Sequence, residues 1–275
     1  MEKNKLVIEK SNSLGGKVWF SFVLFGLVGQ ITWAVENSYF STYIQQTITA
    51  ESWATSATVI FSAIFAAAAT ILSGALMDRI GKRRPFVCYG YIIWGILTMA
   101  FAFFGNEAYA NDAKTITMIV IAFVAMDAIM SFVGSMANDA AFSAWVTDVT
   151  DITNRAFVDT IGSIFPLIAM VLILVGFSGF ANKGQWAEFF AILGAIPTVS
   201  GIIGLFIFRD SPNLKPSPDK TYINQISFGF KWKNIIDNKM IYICFLGMMF
   251  SSIGMQIWMP YMISTHTGDD AFFLT

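Results

Sequence analysis

The stretch Gly74-Ala-Leu-Met-Asp78-Arg79-Ile-Gly81-Lys82-Arg83-Arg84-Pro85 sets a compact group of charges between two long apolar runs. Thr58 to Leu76 upstream and Phe86 to Phe104 downstream contain no charged residue. A basic turn joining two runs of that length is a link between two membrane-crossing helices, and its positive charge places it on the cytoplasmic side. The sidedness of every other segment follows from it.

Composition supports a membrane protein. Of 275 residues, 56% are hydrophobic and only 13% are charged, against about 25% charged in an ordinary soluble domain. The formal net charge of −1 argues against nucleic acid as a partner. Cys88 and Cys244 both fall inside apolar runs, so a disulfide framework is not expected, and the single His266 cannot supply a metal cluster. The apolar run behind the basic first 17 residues is too long for a signal-peptide core and lacks a small-residue cleavage site, so it reads as a true span.

A helix needs about 20 apolar residues to cross the hydrocarbon. Seven runs qualify: Val18–Ile44, Trp53–Met77, Pro85–Phe104, Ile116–Trp145, Ala156–Phe180, Glu188–Phe208 and Met240–Ile263. Fifteen Lys and Arg fall at the N-terminus or in the connections after even-numbered spans, and only Lys114 and Lys183 on the other side. That asymmetry puts the N-terminus in the cytoplasm. The expected organisation is a six-helix unit over 1–208, a cytoplasmic central loop over 209–239, and the start of a second half over 240–275. In the central loop, Pro212, Pro216 and Pro218 exclude a continuous helix. Tyr222 to Asn238 then mixes aromatic and basic residues as a surface-lying segment would.

The charged turn also carries a resemblance. Gly74, Asp78, Arg79, Gly81, Lys82 and Arg83 match every defining position of the loop Gly-x-x-x-Asp-Arg-x-Gly-Lys/Arg-Arg between the second and third helices of the major facilitator superfamily of secondary transporters. The resemblance implies an all-α membrane protein: the first six-helix half of a major facilitator-type bundle, the central loop and helix seven. Complete members have twelve spans, so a chain ending at Thr275 is expected to be part of a longer protein whose C-terminal half is missing here. It also implies that Asp78, Arg79, Asp148, Asp151 and Arg155, on the same side, form ion pairs that hold one gating state.

Acidic residues at bilayer depth are expensive and face a partner or a watery cavity. Glu36, Asp127 and Asp139 are the candidates. Gln30, Trp33 and Asn37 share a face of span one that Glu36 borders. A carboxylate beside an indole and an amide suits a sugar, accepting hydroxyl hydrogen bonds while the ring packs on the apolar sugar face. In span four, Asp127, Ser131, Gly134, Ser135 and Asn138 form one polar stripe, followed by Asp139. Such a stripe cannot face lipid, so it lines a solvent path or binds a neighbouring helix. Ser62, Ala66, Ala69 and Ser73 of span two form a small-residue face for close helix packing.

The segment Ala137-Asn138-Asp139-Ala-Ala-Phe142-Ser-Ala-Trp145-Val-Thr147-Asp148-Val-Thr150-Asp151-Ile-Thr-Asn-Arg155 resembles the end of helix four and the following loop in the glycoside–pentoside–hexuronide:cation symporters. The Arg84-Pro85-Phe86 end of the charged turn leans toward their sucrose-transporter branch. In that group an Asp matching Asp139 contacts the sugar, whereas Glu36 has no such match. Sodium-using members carry paired aspartates in span two, and Ser62 to Thr70 here holds no carboxylate. The coupling ion expected is therefore a proton carried by Glu36, Asp127 or Asp139, not sodium.

The reading is thus cation-coupled symport of a sugar or glycoside by alternating access, in a cell (inner) membrane. Trp33, Glu36, Asn37, Asn138 and Asp139 are the expected substrate contacts, and no other cofactor or metal is called for. Alternatives are a major facilitator transporter of another small solute, such as a drug or peptide, and a transport-fold sensor that moves nothing. An intramembrane enzyme is disfavoured because no Ser/His pair or metal-ligand set is present. The absence of Lys and Arg inside the first six spans disfavours an anionic substrate.

Overall fold

The computed structural model describes residues 14–104, 113–212, 214, 216, 222–227 and 231–258. Every element among them is helical, as hydrocarbon requires of a chain that must satisfy its own backbone. Six helices are long and apolar enough to cross a membrane: α1 Gly16–Thr47, α2 Ser52–Ile80, α3 Arg84–Phe103, α4 Ala113–Val149, α5 Arg155–Asn182 and α6 Trp186–Ile207. Each matches one of the first six expected spans, extending past it at most ends and stopping one residue short of Phe104 in α3 and of Phe208 in α6.

Three short or partial elements follow: α7 Tyr222–Ser227, α8 Trp232–Asp237 and α9 Lys239–Trp258. Within the expected surface segment the described residues form two short helices, and the Tyr222 hydroxyl donates to the Leu72 carbonyl of α2 at 2.9 Å. Span seven begins where expected, and its continuation to Ile263 lies outside the described residues, as do His266, Lys3, Lys5, Lys10, Lys215 and Lys220. Cys88 is buried, Cys244 is exposed, and both are free thiols.

The helices pack through two aromatic clusters at opposite ends of the bundle. At one end Phe40 and Tyr43 of α1 meet Phe101, Phe123, Trp186 and Phe190, with ring centroids 4.6 to 5.8 Å apart. At the other, Phe25, Phe142, Trp145 and Phe208 form a second cluster, and the Trp145 indole donates to the Arg209 carbonyl at 2.8 Å. α3 and α6 approach closely because glycines face each other: a Cβ on Gly194 would lie 2.5 Å from the Gly95 carbonyl oxygen.

Besides α3, which ends in a 3-10 turn over Phe101–Phe103, two helices depart from regular α geometry. α5 is interrupted at Ser163–Ile164, just before Pro166, because proline lacks an N–H and clashes with the preceding turn. α4 winds as a π-helix from Ser135 to Phe142. Between the two aromatic clusters, α1, α2 and α4 enclose polar side chains, and there the bundle holds a cavity.

Candidate functional site

The cavity has a volume of about 270 Å³, near the lower end of the range for small-molecule sites. α1 contributes Trp33, Glu36, Asn37, Phe40 and Ser41, at the i, i+3, i+4, i+7, i+8 spacing of one helix face. Thr58, Ser62 and Ala66 of α2 supply the second wall and repeat at four-residue steps. α4 adds Asp127, Ser135 and Asp139. No Lys, Arg or His is among these lining residues.

A continuous hydrogen-bonded chain joins two of the three carboxylates. Ser62 Oγ donates to Asp127 Oδ2, and Ser131 Oγ stands 3.1 Å from Ser62 Oγ and 2.8 Å from Glu36 Oε1. Ser131 Oγ is also 2.9 Å from the Asp127 carbonyl one turn back. The remaining carboxylate oxygens, Glu36 Oε2 and Asp127 Oδ1, are buried and without a hydrogen-bond partner. Asp127 and Ser131 are both fully buried. A carboxylate oxygen held in that state away from water is strongly disfavoured unless a ligand or a proton meets it.

The third carboxylate is held separately. Asp139 Oδ2 accepts from Ser135 Oγ at 2.8 Å, and Oδ1 from Asn138 Nδ2 at 3.0 Å. The Trp33 indole stands beside it and stacks obliquely on Trp94, with ring centroids 5.1 Å apart. Asn138 does not reach the cavity wall. Its Oδ1 faces the Tyr91 hydroxyl at 2.8 Å, and that hydroxyl also reaches the Phe25 carbonyl at 2.7 Å. Asn138 therefore orients Asp139 from behind. Asn37 donates its side-chain amide to the Trp33 carbonyl at 2.9 Å and lines the wall.

Of the residues expected at a site, Trp33, Glu36, Asn37, Asp127 and Asp139 come together around this one cavity. The polar stripe of α4 serves both uses open to it: Asp127 and Ser135 line the cavity, while Ser131 bonds α1 and α2. Ser62 belongs to the small-residue face expected to pack, and its hydroxyl is also a hydrogen-bonding partner of Asp127. The signal available for it was its hydroxyl, the first of two on an otherwise small-residue face.

The charged turn forms a second organised feature. Gly81 ends α2 with φ 69°, a left-handed conformation that glycine adopts without strain, and its N–H bonds the Met77 carbonyl at 2.8 Å. The reversal brings Arg83 back beside its own helix. Arg83 Nη2 lies 2.6 Å from Asp78 Oδ1 and Nε lies 3.1 Å from Asp148 Oδ2, so one guanidinium ties the end of α2 to the end of α4. Burial works against the Arg83 charge, but the two carboxylates outweigh it and hold its pKa above the usual arginine value.

Asp210 accepts from the backbone N–H groups of Arg83 and Arg84, both at 2.8 Å, and so covers the exposed start of α3. Among the other residues of the turn, Arg79 is exposed and Lys82 is exposed. Gly74 has open space where a Cβ would stand. Asp151 accepts from the N–H and hydroxyl of Thr153, and Arg155 donates to Thr150 Oγ1 and to the Thr147 carbonyl. Two ion pairs thus meet on Arg83, which the short Gly81 turn places between acids contributed by two helices.

A family model described as Major Facilitator Superfamily matches residues 18–275. No curated protein and no solved structure matches the chain significantly.

Proposed function

The chain belongs to the major facilitator superfamily of membrane transporters, and from that premise we propose that it carries a sugar or glycoside in symport with a proton. The solute would sit in the cavity between α1, α2 and α4, which a second half of the protein would close and open to alternate sides. In this reading the N-terminus is cytoplasmic, 1–208 is one rocking unit and the charged turn faces the cytoplasm.

The observation that carries the reading is the pairing of Trp33 with Asp139 on a cavity wall that lacks a basic side chain. An indole offers a flat apolar face to a sugar ring, and a carboxylate oriented by Ser135 and Asn138 accepts its hydroxyl hydrogen bonds. Without Lys, Arg or His to neutralise it, an anionic solute would meet only like charge. Glu36 and Asp127, joined through serines, are the groups that would carry the proton.

Uptake of labelled neutral sugars and glycosides into vesicles bearing the full-length protein tests this, with and without an inward proton gradient. Gradient-dependent accumulation that Asp139→Asn abolishes is the expected result. Saturable uptake of organic cations with no response to sugars would replace the substrate class, since three carboxylates without a basic partner also suit a cation.

A further inference from the structure

We propose that Asp127, Ser62, Ser131 and Glu36 form a relay holding one shared proton, which the two serine hydroxyls pass between a carboxyl on α4 and a carboxyl on α1. The argument is a count of hydrogens. Four hydrogen bonds join these groups, and Ser62 also stands near Glu36: Asp127 Oδ2 with Ser62, Ser62 with Ser131 at 3.1 Å, Ser131 with Glu36 Oε1 at 2.8 Å, and Ser131 with the Asp127 carbonyl at 2.9 Å. The two hydroxyls own one proton each. With both carboxyls ionised, at least two contacts would be oxygen against oxygen with nothing between them.

One added proton fills the relay. When it sits on Asp127, Asp127 donates to Ser62, Ser62 to Ser131, and Ser131 to the Glu36 carboxylate. Only the contact with the Asp127 carbonyl is left open, and that oxygen already accepts the ordinary helix bond from the backbone of residue 131. Transfer needs no rearrangement of heavy atoms. The Asp127 proton moves to Ser62 Oγ, the Ser62 proton to Ser131 Oγ, and the Ser131 proton to Glu36 Oε1. Three O–H bonds break, three form, and the pair keeps a net charge of −1 throughout.

The surroundings favour this charge state. Asp127 is fully buried, its Oδ1 has no partner, and Glu36 Oε2 has none either. Facing the pair, α1 brings Trp33 and Asn37, α2 brings Ser62 and Thr58, and α4 brings the further carboxyl Asp139. Tyr91 of α3 stands behind Asn138. With no cation lining the cavity, two bare carboxylates beside a third would repel one another, and a shared proton removes one charge. Because the relay runs from Asp127 of α4 to Ser62 of α2, back to Ser131 of α4 and on to Glu36 of α1, shifting α1 against the other two stretches the Ser131–Glu36 contact and strands the proton on one side. Asp139, tied to Ser135 and Asn138, stays free of the relay for solute.

This inference rests on the transporter reading for its purpose but not for its test. The full-length protein, purified in detergent or vesicles, is titrated through the near-neutral range while the infrared band of protonated carboxyl groups is followed. Wild type, Ser131→Ala, Ser131→Thr and Ser62→Ala are compared. Wild type should gain and lose one proton from the pair in a single step, and Ser131→Thr, which keeps the hydroxyl, should follow it. Ser131→Ala should move that midpoint by about one pH unit or more, as loss of a charge-assisted hydrogen bond requires, and Ser62→Ala should do the same. In vesicles, Ser131→Ala should depress gradient-driven accumulation at least about tenfold more than solute counterflow, in proportion to the same equilibrium shift. A band that ignores both alanine substitutions, or one that vanishes on adding sodium at constant pH, would overturn the relay. If the band behaves as expected while no sugar is carried, the relay stands and the substrate assignment fails alone.

Discussion

Replacing Arg83 with Gln tests how the charged turn is held. The Arg83 side chain is 6% exposed and bonds two acids that differ in burial: Asp78 at 2.6 Å with 54% of its side chain exposed, and Asp148 at 3.1 Å with 21% exposed. Water can rehydrate Asp78 when the guanidinium is lost, so that contact is worth about 0.5 kcal/mol, as for surface pairs. Asp148 is hydrated less easily, and stranding it costs about 2–3 kcal/mol, below the figure for a fully buried pair. Arg83 Nη1 is itself buried without a partner, and removing it offsets part of the loss. The expected net cost is about 2 kcal/mol for Arg83→Gln, about 1 for Asp148→Asn and about 0.5 or less for Asp78→Asn. At about 2–4 °C per kcal/mol, the detergent-purified protein should melt about 4–8 °C, 2–4 °C and at most 2 °C lower, respectively. The ranking should not change across the neutral range. A base whose folded pKa is raised keeps its contribution at every pH below its unfolded value and loses it only as pH climbs through the folded one. An Asp78→Asn protein that melts as low as Arg83→Gln would refute the reasoning, because it would place the weight on the exposed acid.

Glycine substitutions separate close packing from open space. In Gly95→Ala the new Cβ would stand 2.7 Å from the Thr198 backbone nitrogen, and backbone cannot yield, so a loss of about 1–3 kcal/mol is expected in thermal melts. Gly74→Ala meets nothing within 4 Å and, inside a helix, should hold stability or raise it by up to about 1 kcal/mol; a clear drop in the full-length protein would reveal a neighbour from elsewhere in the chain. Gly81→Ala must take φ 69° and also approach the Pro216 nitrogen to 2.7 Å, which should lower the melting temperature more than Gly74→Ala does. At the cavity, Trp33→Ala should weaken solute binding about two- to tenfold, with Trp33→Phe closer to wild type, since aromatic contacts of this kind are worth about 0.5–1.5 kcal/mol. Asp78→Asn, if the turn gates transport, should slow turnover more than it weakens apparent affinity in vesicle uptake.

The helices were legible because the bilayer sets one length for all of them and excludes charge from each. The six observed helices match the first six apolar runs to within a few residues at each end, and the charged turn lies between α2 and α3 as read. Pairings between helices were less legible. Ser62 belongs to a small-residue face, and within α2 alone nothing separates a packing serine from a hydrogen-bonding one. Its partner Asp127 lies 65 residues away, so its role emerges only when α2 and α4 meet. The same holds for Arg83: the sequence places five charges in one turn, but the left-handed Gly81 decides which of them returns to Asp78 and Asp148.

Asp139 depends on a feature with no sequence signature. In an unbroken α-helix, twelve residues at about 100° each would turn it about 120° away from Asp127, out of the wall that Asp127 lines. The π segment Ser135–Phe142 advances less per residue. That brings Asp139 round to the cavity, and it turns Asn138, which lies on the stripe at α spacing, toward Tyr91. Gly29 of α1 makes room for the displaced amide: a Cβ there would run into Asn138 Oδ1 and come within 2.6 Å of the Tyr91 hydroxyl. The wound segment, the bare glycine opposite it and the buried tyrosine behind it thus act together to present one carboxylate. A substitution that returned α4 to regular winding would remove Asp139 from the site while leaving every one of these residues in place.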